Sequence, residues 1–210
     1  MRWILLIPLA LGVVAVATAQ SASPEAPAVP SAEQHIDWLA EGTLLVRLPA
    51  NRSKMQAIEK ALADETLSER ARDRLVALLA ETKEETAAQQ QAYVTAFQDE
   101  YNFSDVGFFF DYDTPAVLEG WGNVYDFDLM SEKEISLDKP WYILSIGRTP
   151  ESRVSGLVVL DHQLDPVPRP FPNSVITSGF AVIGAWLSAD PAEHYFVRKL
   201  QKNLDRFSER

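Results

Sequence analysis

Asp111 and Asp113 stand one residue apart at the end of an apolar run, Gly107-Phe108-Phe109-Phe110. Two carboxylates at that spacing can share the work of hydrolysis. One attacks as a nucleophile, the other exchanges a proton, and Mg²⁺ neutralises the charge. The metal needs further oxygen ligands, and Asp161 and Asp165 follow a second apolar run, Leu157-Val158-Val159-Leu160. The same residues have a plainer reading. Asp113 or Thr114 caps a short helix with Pro115 at its first position, Asp111 marks a strand's exit to water, and Asp161 to Asp165 closes a hairpin.

A second group is Trp121, Tyr125, Asp126 and Asp128, all within Trp121-Gly122-Asn123-Val124-Tyr125-Asp126-Phe127-Asp128, with Trp141 close behind. Exposed aromatic rings beside carboxylates suit a binding surface, for a protein partner or a sugar ring. Aromatics packed over a sheet edge are the structural alternative. Asp126 and Asp128 add hard oxygen ligands, but the calcium-loop pattern Asp-x-Asp-x-Asp-Gly is absent. There is no Gly-x-Ser-x-Gly elbow, and His35, His162 and His194 are scattered without zinc spacing. The sequence implies no cofactor.

These residues hang on a predicted alternation of strands and helices. Thr43 to Leu48 reads as a buried strand closed by Pro49. Capping-box patterns at Ser53–Gln56 and Thr66–Glu69 open a helix to about Ala63 and then a long one, from Leu67 to Tyr101. At about 1.5 Å per residue, a helix of that length overhangs the domain. Val106 to Asp111 reads as a second, central strand with both faces apolar. A short helix covers 115–119, and a further strand is expected at Val124–Phe127. Trp141 to Gly147 and Gly156 to Asp161 read as an antiparallel hairpin. Phe180 to Leu187 fits either a strand or a helix. Asp190, Pro191 and Glu193 open a last helix to about Phe207.

That order, a βαβ unit followed by a β-hairpin and a C-terminal helix, predicts an α/β sandwich. It resembles the thioredoxin-like fold, with a long helical insertion after strand 1, and Pro140 stands before the third core strand as that family's proline does. The family's Cys-x-x-Cys turn would fall on Ala50-Asn51-Arg52-Ser53, where no cysteine stands. The resemblance therefore implies a fold and removes thiol chemistry. The aromatic strand ending in acids, the Trp141-Tyr142-Ile143-Leu144 strand and the Pro170-Phe171-Pro172 loop resemble exported bacterial proteins whose activity is uncharacterised. The apolar strand before Asp111 and Asp113 is similar to the first motif of haloacid-dehalogenase-type phosphatases. That family places Thr two residues after the second Asp, whereas Thr114 follows at once. It also needs a Lys between its later motifs, and none lies between Lys139 and Asp161.

Composition narrows the setting. Met1-Arg2, an apolar run from Trp3 to Thr18 and the small-x-small Ala17-Thr18-Ala19 form a secretory signal peptide over residues 1–19. Residues 20–34 read as a Pro-rich linker and 35–210 as one α/β domain. Without the signal segment, 18 basic residues face 30 acidic ones, a net charge of −12 against −11 for the whole chain. That excludes nucleic acid, whose phosphates need a basic face. It leaves membrane contact to the signal segment alone, if uncleaved. With 0 cysteines, an exported chain must be held together by its core. The expectation is an exported, non-redox binding or assembly protein of the periplasm or cell surface, with a protein partner. The alternative is a Mg²⁺-dependent phosphohydrolase using Asp111 and Asp113.

Overall fold

Alternation of apolar side chains builds a sheet with two dry faces. In the computed structural model, which describes residues 30–135, 138–149, 153–178, 180–187 and 190–210, the strands are β1 (Thr43–Leu48), β2 (Asp105–Phe110), β3 (Trp141–Arg148), β4 (Ser155–Leu160) and β5 (Ser174–Ile176). They form one mixed sheet in the order β2-β1-β3-β4-β5. β1 runs parallel to both β2 and β3, and β4 and β5 continue antiparallel. Among the described residues, six α-helices accompany them: α1 (Ala32–Glu41), α2 (Arg52–Leu62), α3 (Glu69–Glu100), α4 (Thr114–Leu118), α5 (Phe180–Leu187) and α6 (Ala192–Ser208). Among the described residues no helix is long and apolar enough to cross a membrane.

One face presents Leu44, Val46, Leu48, Val106, Phe108, Leu144, Leu157 and Val159 to α1, α3 and α6. Phe97 of α3 is fully buried there, its ring edge-on to Phe108 at 6.1 Å. Phe196, Val197, Leu200 and Leu204 give α6 its inner stripe, at the spacing of one helix face. The other face presents Leu45, Phe109, Ile143, Val158 and Leu160, and α4 with the chain after it lies over this second cluster.

The mixed α/β class and the cysteine-free core agree with the sequence reading, while several finer expectations are corrected. β2 is an edge strand, although both its faces are buried. Its three phenylalanines reflect cover on two faces, which an edge strand can also have. The segment 124–127 pairs at single bridges, Tyr125 with Phe108 and with Glu132, rather than as a strand. Residues 180–187 are helical. β5 and α1 were not foreseen. α1 begins at Ala32, inside the stretch read as linker, and Ser31 and Gln34 form its capping box.

The caps also shift. α2 starts at Arg52 behind Asn51, which adopts φ 50° and sends its amide to Thr86 instead of the helix. Ser68, not Thr66, caps α3, accepting from the Ala71 N–H. Asp190 does not cap α6. It pairs with Arg198 at 2.9 Å, and Pro191 takes the cap position without a side-chain bond. The long helix itself is present. Its 32 residues span about 48 Å, against about 20 Å for a six-residue strand. Its buried residues run from Thr82 to Phe97, so the first three turns stand clear of the sheet, packed with α2.

α1 docks through a buried histidine. His35 is 7% exposed, and its Nδ1 lies 2.9 Å from the Tyr142 hydroxyl of β3. Trp38 and Tyr142 meet its ring edge-on. Burial pushes its pKa down, the Asp161 charge opposes that, and His162 adds to it. A histidine whose folded pKa is depressed binds fewer protons folded than unfolded. Stability is then full above the unfolded pKa of about 6.5 and falls as pH drops below it. His35→Gln keeps a partner for Tyr142 and removes the titration. Urea midpoints measured from pH 7.5 down to 5 should fall more steeply for the native chain than for His35→Gln. Equal slopes would show that His35 takes no part.

Candidate functional site

The four acids proposed for hydrolysis do not meet. Asp111 follows the carboxyl end of β2, and Asp161 follows the carboxyl end of β4. β4 is antiparallel to the first three strands, so these carboxyl ends lie at opposite ends of the sheet. The register places Phe110 beside Leu48 but Leu160 beside Ile143, which pairs with Leu45. At about 3.3 Å per residue and 4.8 Å per strand, Asp111 and Asp161 are more than about 20 Å apart. Mg²⁺ binds oxygens at about 2.0–2.1 Å. Among the described residues, no group of three histidine or acidic side chains could hold a metal ion.

Each acid has a local position instead. Asp111–Asp113 is a single 3₁₀ turn leading into α4. The Asp113 side chain makes no cap bond, and the expected cap is corrected: the Thr114 hydroxyl donates to the Asp111 carbonyl at 2.7 Å. Tyr112 between them is half-exposed, stacks on Phe110 at 5.6 Å and carries the Arg52 guanidinium over its ring. Asp161 accepts the Gln163 and Asp165 N–H groups, and the Asp161 N–H donates to the Asp165 carbonyl. This is a hairpin end, as its plainer reading had it.

The aromatic and acidic segment divides sharply. Asp128 accepts from the Met130 and Ser131 N–H groups and from the Ser131 hydroxyl, and these bonds hold its pKa down at about 2. Asp126 accepts from the Phe127 N–H. Both acids are turn-formers, with their acceptor capacity directed at their own loop. Tyr125 exchanges two backbone hydrogen bonds with Phe108, at 2.9 and 2.7 Å, and its ring leans on Phe110. Phe127 packs on Phe108. Of the four binding candidates, Tyr125 therefore fastens the segment to the open edge of β2, while Asp126 and Asp128 shape the loop itself.

Trp121 is different. It is 69% exposed, and its indole N–H donates to Glu119 Oε2 at 2.7 Å. The turn that presents it is tight. Gly120, Trp121 and Gly122 donate their N–H groups to the carbonyls of Val117, Ala116 and Ala116. Gly120 takes φ 82°, in the region that favours glycine, and a Cβ on Gly122 would lie 2.5 Å from the Val117 nitrogen.

Behind Trp121 is a cavity of about 310 Å³. Leu45, Val117, Ile135 and the half-buried Trp141 form its apolar floor, and Lys133 and Glu134 its rim. Trp121 and Trp141 line the same space, and the Trp141 ring meets that of His162 edge-on at 6.4 Å. An adjoining cavity of about 350 Å³ shares the wall Lys133–Ile135 and reaches the amino ends of β1 and β2. Small-ligand sites begin near about 300 Å³, apolar with a few polar groups at fixed places.

Lys133 is the pin. Its ammonium lies 2.6 Å from Asp105 Oδ1 and 2.7 Å from the Val106 carbonyl, and its backbone N–H donates to the Val124 carbonyl at 2.7 Å. Sequence reasoning missed Lys133, Glu119 and Glu134. Only the path of the loop over the sheet brings them together, and no spacing records that path. Trp121 stands out in the sequence because aromatic residues and carboxylates crowd into 121–128. Comparison with known proteins finds no matching family model, no matching curated protein and no matching solved structure.

The Lys133 ammonium donates to one charged and one neutral acceptor from a largely shielded side chain, with 22% exposure. A charge-assisted bond of this kind contributes about 1–2 kcal/mol once screening is allowed for. Lys133→Met retains the stem and removes the charge. The expected result is a stability loss of about that size, with faster amide exchange confined to residues 120–135. Exchange measured by mass spectrometry checks it. Uniform acceleration across α3 and α6 would show that the pin supports the whole domain instead.

Proposed function

We propose that this chain is an exported, non-redox binding or assembly protein of the periplasm or cell surface, and that it engages a protein partner through the Trp121 surface. The observation that carries the reading is an indole left 69% exposed above a cavity of about 310 Å³. Leaving a large apolar ring in water forgoes about 1.5–3 kcal/mol of burial. A tight glycine turn and a bond to Glu119 nevertheless hold it outward. Aromatic anchors beside pockets are the usual centres of binding energy.

Export follows from the pattern of residues 1–19 and stays part of the proposal. The thioredoxin-like reading of the fold belongs here too. Its support is the strand–helix–strand order, Pro140 directly before β3, and α2 opening at the carboxyl end of β1. Ala50 and Ser53 hold the places of that family's cysteines, so the fold carries no disulfide exchange. The hydrolase alternative has no geometric support, because its acids lie at opposite ends of the sheet.

The exposed hairpin of α2 and α3 is the competing docking surface, with Val76 at its exposed side. Affinity capture from an extract of the source cell separates the two. The full chain should recover a partner, Trp121→Ala should lose it, and Val76→Glu should keep it. If Val76→Glu loses the partner while Trp121→Ala keeps it, docking is on the helices and the Trp121 reading fails.

A further inference from the structure

The chemistry of the Trp121 cavity narrows what can enter it. Trp121 and Trp141 both line it, and an aromatic ring attracts a cation over its face. Glu134 stands exposed at the rim with no partner among the described residues, and Glu119 fixes the Trp121 ring. Positive charge on the lining is already committed, because Lys133 is held between Asp105 and the Val106 carbonyl. The N–H groups of Gly120, Trp121 and Gly122 are all spent on α4. An anion would find no free cation here. A sugar ring needs donors and acceptors around its edge, and this lining is short of donors.

Charge beyond the cavity points the same way. Glu41 and Asp105 line the adjoining space, with Lys139 as its other cation. The full chain carries a net −11, from 19 basic and 30 acidic residues, and that field draws basic partners and repels acidic ones. At about 310 Å³, the cavity holds a single side chain rather than a folded element.

We propose that the cavity between Trp121 and Trp141 receives one cationic side chain, an arginine or lysine, from a basic segment of the partner protein. This rests on the reading of the Trp121 surface as the docking site and specifies its chemistry. The aliphatic stem would lie on Leu45, Val117 and Ile135. The cationic head would sit between the indole faces, within reach of Glu134. A guanidinium suits this better than an ammonium, since it is flat, stacks on aromatic rings and is weakly hydrated.

The test uses the full chain labelled with ¹⁵N and follows its indole N–H signals by NMR, assigned from Trp→Phe variants. The probes are acetyl-Gly-Arg-Gly-amide, acetyl-Gly-Glu-Gly-amide and N-acetylglucosamine. The arginine peptide should shift the Trp121 and Trp141 signals saturably, at about millimolar concentration, as expected for a single side chain. The other two probes should not, and the Trp38 and Trp186 signals should stay in place. Trp121→Ala should weaken the arginine peptide about tenfold. Glu134→Gln should weaken it about threefold at low salt and less at high salt.

Saturation by N-acetylglucosamine or by the glutamate peptide in preference to arginine would overturn the proposal. So would an absence of saturable shifts, or unchanged binding in Glu134→Gln with the Trp38 and Trp186 signals intact. If the arginine peptide fails while capture of the partner still depends on Trp121, the docking surface stands and only its ligand chemistry is wrong.

Discussion

The structure turns on one imbalance: a sheet with two apolar faces and helices enough for one. α1, α3 and α6 crowd onto the face of Leu44, Val46 and Phe108. Among the described helices, the face of Leu45, Phe109 and Ile143 receives only α4, of five residues. An apolar face of this extent left wet would lose about 25 cal/mol for every square ångström exposed. Irregular chain must therefore seal it, and irregular chain carries backbone groups that helices would have satisfied internally. The Asp128 turn, the paired bonds between Tyr125 and Phe108, and the Lys133 pin supply those partners. An incomplete lid over an apolar face is also how a cavity arises. The space behind Trp121 is where α4 ends and the loop has not yet reached the sheet.

The same imbalance explains which parts of the fold were legible in the sequence. Elements with a strong local signal are legible. Thr43 to Leu48 and Trp141 to Gly147 are short, mostly apolar runs, and the stripe Phe196, Leu200, Leu204 repeats every four residues. Pairing was harder to read. Phe108, Phe109 and Phe110 show that β2 is covered on both faces, but not how many strands flank it. An edge position with a single bridge to Tyr125 has the same composition as a central one. β5 has three residues, too few for a period, and it exists because β4 offers it a free edge.

Caps show the limit at the finest scale. Ser53 and Thr66 matched capping-box spacing, and neither caps a helix. Asn51 and Ser68 hold those positions, because the chain's entry into each helix is decided by packing. Asn51 is drawn to Thr86 of the neighbouring helix, and Asp190 to Arg198 and so to the Glu100 network. A local motif offers a few tenths to about 2 kcal/mol. Tertiary partners of comparable strength can outbid it.

For the site, the sequence identified the right stretch and misassigned its parts. Trp121, Tyr125, Asp126 and Asp128 lie within eight residues, and composition alone ranks them together. The structure separates them by two criteria: whether a ring is left exposed, as Trp121 is, and whether a carboxylate already has a partner in its own loop. Asp128 has three donors and a carboxyl pKa held at about 2, so it stays charged at any ordinary pH and offers little to a ligand. Glu134, five residues after Leu129, has none among the described residues and faces the cavity. Acidity read from sequence counts charges, whereas recognition depends on charges left unspent. The same distinction removes Asp161, consumed by its hairpin. In this segment it leaves an exposed indole ring and the Glu134 carboxylate, unpaired among the described residues, over an apolar floor.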